Sequence, residues 1–306
     1  MNATNTMLTL NNVQLWQAGS YSVMVSNIAG STNSVNAVLT VNVPVPVPAI
    51  YAFNPVSGMA GTPLTITGTN FSAVAAGNVV YFGAVQATVA SASATNLLVT
   101  VPVSATFAPI TVTVNGLTAY ASQPFMPTFA GDGSGIDTSS FAPLFNLQAG
   151  SSSPGKTVIA DIDGDGKPDL IVACGGGVVS IYRNISTNGS MTAASFAPRV
   201  DLAPPSAGAN PFDVEVADVD GDGKLDIVVS DFNTAQVSVY RNSCTPGNIS
   251  SNLFTRVDFA TGNEPQGIVV RDIDGDGKPD LLVANPGDDT VSVLRNTSIV
   301  GSLTTN

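Results

Sequence analysis

The chain has 306 residues, of which only 10% are charged, against roughly 25% in an ordinary soluble protein. Its net charge of −12 lies wholly in one half: residues 1–131 hold no Asp, Glu, Lys or Arg, and every charged side chain falls between Asp132 and Arg295. An acidic chain with no basic patch argues against nucleic acid and anionic membranes as partners and for bound cations.

No apolar run reaches the ~18 residues that span a bilayer, and residues 1–20 lack a signal peptide's basic start and apolar core. An export signal would have to lie upstream. Val, Thr, Ser, Asn and Gly replace the missing charges, and no stretch keeps a 3.6-residue apolar spacing, so the expectation is an all-β chain.

Residues 1–42 read as short strands: Leu8-Thr9-Leu10, Tyr21 to Ser26 and Ala37 to Val41. Gly19 stands two residues before Tyr21 at a strand start, the pattern of a tyrosine corner. The run resembles strands E, F and G of an immunoglobulin-like domain, with Val23 where that family has its second cysteine and with strands A to D missing. Three strands cannot cover their own apolar face. Trp16 and Tyr21 read as core or corner residues. Residues 43–48 alternate Pro with Val and form a stiff, extended spacer.

Residues 49–128 form a second β module. The turn clusters Asn54-Pro55-Val56-Ser57-Gly58 and Gly61-Thr62-Pro63 precede strands at Leu64 to Thr67, Val79 to Phe82, Leu97 to Val101 and Ile110 to Val114. Phe71, Tyr81 and Phe82 read as its core. "PAIYAFNPVSGMAGTPLTITGTNF" and "VVYFGAVQATV" resemble IPT/TIG domains, which implies an immunoglobulin-like sandwich used as a spacer or binding platform. Residues 129–140 are a linker.

Residues 141–306 repeat internally. "ADIDGDGKPDLIV", "ADVDGDGKLDIVV" and "RDIDGDGKPDLLV" begin loops at Asp161, Asp218 and Asp272, 57 and then 54 residues apart. Each unit opens with a phenylalanine (Phe141, Phe196, Phe254). Each carries a proline seven residues before its loop (Pro154, Pro211, Pro265) and closes on Arg-Asn (Arg183-Asn184, Arg241-Asn242, Arg295-Asn296). A period of this size marks propeller or solenoid units. Each unit reads as four strands: one near the Phe, one ending at the loop, an unbroken apolar strand such as Leu170 to Ala173, and an alternating strand such as Val179 to Tyr182. The apolar strand should be covered on both faces and the alternating one half exposed. Four-stranded units of this kind suit propeller blades.

The loop is D-x-D-G-D-G-K-x-D. Asp161, Asp163, Asp165, the Lys167 carbonyl and Asp169 stand at positions 1, 3, 5, 7 and 9 of an EF-hand-type calcium loop, and Gly166 at position 6 permits the sharp turn. Position 12 is Val172 where an EF-hand has glutamate, so Asp169 must supply the closing carboxylate. The same roles fall on Asp218, Asp220, Asp222, Lys224 and Asp226, and on Asp272, Asp274, Asp276, Lys278 and Asp280. Four carboxylates within nine residues repel unless a cation lies among them, and hard oxygen ligands in this number suit Ca²⁺ at three structural sites. A solvated, acidic Asp-Gly turn is the plainer alternative for any one loop. Three in register weigh against it.

The repeats resemble the FG-GAP/VCBS family of calcium-bearing, integrin-like propellers. That resemblance implies a calcium-stabilised extracellular or cell-surface protein with an adhesive or structural-fibre role. It also implies a protein or glycan ligand. The other function considered is a non-catalytic appendage of a secreted, polysaccharide-acting enzyme. No histidine, only Glu215 and Glu264 as glutamates, and no paired carboxylates outside the loops argue against catalysis by the chain itself.

The fold expected is thus a partial immunoglobulin-like sandwich, an IPT/TIG sandwich and three four-stranded blades of an incomplete propeller. From Asn296 the next opening Phe would fall two residues past Asn306, as though a fourth blade were about to begin. The chain is then either part of a longer protein or is completed by neighbouring copies, as in a filament. The recurring arginines read as solvated strand ends or as partners of a neighbouring blade. Cys174 and Cys244 read as two free thiols or one pair. Asn-x-Ser/Thr sequons start at Asn2, Asn70, Asn184, Asn188, Asn248 and Asn296.

Overall fold

The computed structural model describes residues 10–43, 45–131, 137–187, 190–204 and 206–304. It divides into a unit of residues 1–46 and a unit of residues 47–306.

In the first unit, β1 (Gly19–Tyr21) pairs with β4 (Ala37–Leu39), and β2 (Met24–Asn27) forms a hairpin with β3 (Gly30–Asn33). The Tyr21 hydroxyl donates to the Gln17 carbonyl at 2.5 Å, the backward bond that defines a tyrosine corner. Trp16, by contrast, is exposed rather than in a core, as are Val23, Met24 and Val25. No residue of these four short strands is buried, so there is no core for the indole to join. Leu8 and Thr9 lie outside the described residues.

The second unit opens with a sandwich. One sheet holds β5 (Ala49–Asn54), β7 (Pro63–Thr69), β10 (Val89–Ala92) and β11 (Asn96–Thr100), in the order β10-β11-β7-β5. The other holds β6 (Ser57–Gly58), β8 (Val79–Phe82), β9 (Val85–Ala87), β12 (Ala108–Val114) and β13 (Leu117–Pro127), in the order β6-β13-β12-β8-β9. Period-two alternation places Leu64 and Ile66 inward from β7. They meet Val112, Phe82 and Phe125 in one apolar core, where the two phenylalanine rings pack edge to face at 5.1 Å. Phe71 joins this core, but Tyr81 does not. Tyr81 alternates to the opposite face of β8 and packs with the blades.

Three further sheets follow. β14 (Pro154–Ala160), β15 (Asp169–Cys174), β16 (Val178–Tyr182) and β17 (Val200–Leu202) form the first. β18 (Pro211–Ala217), β19 (Asp226–Asp231), β20 (Gln236–Asn242) and β21 (Phe254–Ala260) form the second, and β22 (Ile268–Arg271), β23 (Asp280–Asn285) and β24 (Thr290–Leu294) the third. The second and third repeats supply the four strands expected of each, whereas no strand forms near Phe141 in the first, and the grouping of strands into sheets is offset. The strands near Phe196 and Phe254 join the preceding repeat's sheet: β17 pairs with β16, and β21 with β20.

The offset corrects a second expectation. The alternating strand is not half exposed in the first two blades, because the outer strand covers its edge and the next blade its face. Val179 to Tyr182 and Val237 to Tyr240 are all buried. Apolar residues of facing blades merge: Ile171, Val179 and Ile181 meet Val214 and Ile227 between blades one and two, and Val237 and Val239 meet Ile268 and Val270 between blades two and three. Cys174 and Cys244 are buried and unpaired.

Candidate metal centres in the aspartate loops

Each loop joins the inner strand of a blade to the strand beside it. Two glycines shape the turn. Gly164, Gly221 and Gly275 (φ 73° to 81°) and Gly166, Gly223 and Gly277 (φ 84° to 90°) all take positive φ, which favours a residue without Cβ. The position-6 amide then donates into the loop: Gly166 N to Asp161 Oδ2 at 2.9 Å, Gly223 N to Asp218 Oδ2 at 3.0 Å and Gly277 N to Asp272 Oδ2 at 2.9 Å.

Three groups of aspartates could hold a metal ion, with ligand atoms within 4.8 Å of one another: Asp161, Asp163 and Asp169; Asp218, Asp220 and Asp226; Asp272, Asp274 and Asp276. The first two groups are buried and the third is partly exposed. Asp161 Oδ1 and Asp218 Oδ1 are buried carboxylate oxygens with no hydrogen-bond partner, the condition a bound cation relieves. Burial pushes Asp161 up to about 6, Asp169 and Asp218 up to about 7, and Asp226 well above the carboxylate range. The neighbouring aspartates add to each shift. Nearby positive charge would favour the ionised form of each, and a set of hard carboxylate donors fits a divalent ion.

The position-9 aspartates also hold the backbone. Asp169 accepts from Ile162 N and Asn184 N, Asp226 from Val219 N and Asn242 N, and Asp280 from Ile273 N and Asn296 N, all at 2.8–3.1 Å. In the third loop Asp280 stands outside the clustered group and Asp276 takes a place in it. Asp165 and Asp222 lie beside the clusters, within reach of arginine. Two of the lysine ammonium groups bond to carbonyls outside the loop: Lys224 Nζ donates to the Cys244 carbonyl and Lys278 Nζ to the Ser298 carbonyl. Lys167 is half-buried at the equivalent position.

The recurring arginines turn to their own blade, not to a neighbour. Arg241 pairs with Asp220 and Asp222, Arg295 with Asp274 and Asp276, and Arg183 lies 3.9–4.0 Å from Asp163 and Asp165. The adjacent asparagines make the contact between blades. Asn242 Nδ2 donates to the Ile162 carbonyl at 2.7 Å, and Asn296 Nδ2 to the Val219 carbonyl at 2.8 Å, each reaching position 2 of the preceding loop. The recurrence of Asn beside Arg was the signal, and the Asn carried it. Asn296 spends both hydrogens of its side-chain amide on the Val219 and Pro279 carbonyls, while Asn184 spends one on the Pro168 carbonyl.

All three loops also touch the sandwich. Asp161 N donates to the Ala84 carbonyl at 2.8 Å, the Tyr81 hydroxyl to the Gly223 carbonyl at 3.2 Å, and Thr118 N to the Gly277 carbonyl at 2.6 Å. Beside them the Arg271 guanidinium lies 5.1 Å from the Tyr120 ring centre. A Cβ on Gly277 would come within 2.9 Å of Leu117 and Val47, so close approach demands glycine there as much as φ does.

Sandwich, offset blades and Asp-Gly loops together define an all-β repeat protein with propeller-type blades. Residues 48–129 match the IPT/TIG domain, and residues 161–229 and 218–283 match the FG-GAP-like repeat; the chain carries an IPT/TIG domain followed by FG-GAP-like repeats. None of the curated proteins compared matches the chain. Among solved structures, an auxiliary nutrient binding protein from Bacteroides ovatus ATCC 8483 is similar over 86% of this chain and 62% of its own, at 14% identity and a TM-score of 0.28. Another, from Bacteroides thetaiotaomicron VPI-5482, is similar over 84% and 61%, at 14% identity and a TM-score of 0.28. The chain thus spans about three fifths of the length of these structures.

Proposed function

We propose that this chain is a non-catalytic, calcium-stabilised part of an extracellular surface protein, in which β modules space out and present a propeller face to a protein or glycan. The observation that carries the reading is the pair of buried, partnerless oxygens Asp161 Oδ1 and Asp218 Oδ1, each inside an aspartate cluster. A cation at each cluster removes the cost of packing those carboxylates together.

The ion proposed is Ca²⁺, held by Asp161, Asp163, Asp165, the Lys167 carbonyl and Asp169, and by their counterparts in the other two loops. Oxygen donors in this number suit its larger, flexible shell better than the tight octahedron of Mg²⁺. Millimolar calcium outside cells would fill even sites of ~10⁻⁴ M affinity, which supports a surface location. The lack of histidine and the presence of only two glutamates support a binding role. Glu215 is tied to Lys156 at 2.7 Å, and Glu264 is exposed in a turn.

Calorimetric titration of the chelator-stripped chain tests the proposal. Three calcium equivalents bound in preference to magnesium are expected; no uptake at millimolar calcium by the folded chain would end it.

A further inference from the structure

Two positions of the repeat set the seam between blades one and two apart. Six residues before the first aspartate of each loop stand Gly155, Phe212 and Gln266, and fourteen after it stand Gly175, Phe232 and Pro286. Blade one thus carries glycine at both positions, and blade two carries phenylalanine at both. The Phe212 and Phe232 rings stack at 6.0 Å with 28° between their planes, and Phe212 is 45% exposed. Phe232 therefore braces a ring of which nearly half meets solvent.

Small residues opposite large ones leave a gap. A cavity of about 620 Å³ opens between the two blades, where Gly155, Gly175 and Phe212 line it with Lys156, Asn210 and Asp213. It lies at the ends of β14 and β18 remote from the aspartate loops, and its volume is within the roughly 300–1,000 Å³ of small-molecule sites. The backbone does not demand glycine at 155. Its φ is not positive, and a Cβ there would meet only the Phe212 and Ala173 carbonyl oxygens, at 3.4 and 3.5 Å, which is ordinary contact. What the missing side chain does is keep the cleft clear.

The polar groups of the cleft are matched in charge. Lys156 Nζ lies 2.9 Å from Asp213 Oδ1 and 2.7 Å from Glu215 Oε1, which engages two of its three hydrogens and leaves one to donate. The Asp213 oxygens also accept from Val214 N at 2.7 Å and Ile268 N at 2.8 Å. An anion therefore meets no unpaired cation here, and a cation meets no unengaged Asp213 oxygen. Asn210 uses its backbone N–H on Asp231 and its carbonyl on Phe232 N, while its side-chain amide has no partner among the described residues. A braced aromatic face beside such hydrogen-bonding groups suits a sugar ring. The C–H bonds of a sugar can lie on the electron-rich face of Phe212 while its hydroxyls reach the ammonium and the amide.

We infer that the cleft between blades one and two binds a neutral sugar residue of a glycan, stacked on Phe212 and hydrogen-bonded by Lys156 and Asn210. The assignment rests on the binding role proposed above and selects glycan over protein as its ligand. It uses none of the aspartate loops.

Titration calorimetry with neutral tetrasaccharides of glucose, galactose, mannose and xylose, and with tetragalacturonate as the charged comparison, provides the test. At least one neutral probe should bind with a Kd below about 1 mM, more tightly than the galacturonate. Phe212→Ala removes the stacking face and Gly155→Val fills the cleft. Each lies at an exposed position and should weaken binding at least about tenfold, with melting temperature and calcium stoichiometry unchanged. No neutral probe bound, tighter binding of the galacturonate, or undiminished affinity in both variants would each overturn the cleft assignment, the last while leaving a glycan-binding role elsewhere on the chain. Calcium uptake read on the same samples separates the two proposals: uptake without sugar binding removes only the cleft, and sugar binding without uptake removes only the calcium reading.

Discussion

The sandwich and the blades solve the same packing problem with different means. Residues 49–127 hold no charged side chain, and their stability rests on an apolar core in which Leu64, Ile66, Val80, Phe82 and Phe125 are at most 1% exposed. The blades have comparable apolar layers but also bury Asp161, Asp163, Asp169, Asp218, Asp220, Asp226 and Asp280. A buried carboxylate costs several kcal/mol unless it is paired or neutralised. One region has a core that is apolar throughout, and the other buries carboxylates that call for compensating charge.

Removing calcium should separate the two most strongly. Three sites, each at a hundredfold saturation, would contribute together about 8 kcal/mol, so a chelator should lower the blade melting temperature by about 20 °C. Hydrogen exchange should quicken across residues 154–296 and much less in the sandwich. Equal loss in both regions would break the contrast. Next in size, Phe125→Ala should cost about 3–5 kcal/mol by opening the sandwich core, with the same loss in calcium and in chelator.

Asp218→Asn should show opposite signs in the two conditions. With calcium it should lower stability by about 2.7 kcal/mol and cut the titrated stoichiometry from three ions to two. In chelator it should cost nothing or stabilise, because a carboxyl that burial holds at about 7 is replaced by a neutral amide. Asn242→Ala should cost about 1–3 kcal/mol by stranding the Ile162 and Leu225 carbonyls, measured by denaturant melts. Tyr81→Phe, which removes only the bond to the Gly223 carbonyl, should cost about 1 kcal/mol and reduce the protection that calcium extends to β8.

Local pattern was readable wherever it depended on residues near in sequence. The Asp-Gly spacing located all three turns, and alternation located β7, β8 and β12. What depended on partners distant in sequence was not. Nothing in Phe196 to Leu202 says which sheet it joins, because an outer strand looks alike whether it closes its own repeat or the one before. Tyr81 carries the same apolar signal whether it faces a sandwich core or a blade. The pairing of Arg241 with its own loop, and of Asn242 with the preceding one, turns on a side-chain direction that one-dimensional spacing does not encode. Trp16 marks the opposite limit: a residue type that is usually covered, on a segment with too few strands to cover it.

The staggered join between successive blades bears on how such an array can grow. Duplicating a whole repeat, from any starting point within it, inserts one complete blade and keeps every seam intact, since each newcomer both lends a strand backward and borrows one from ahead. Length can thus vary in whole units without any seam being redesigned, whereas a cut at the apparent repeat boundary always strips a strand from the blade on its near side.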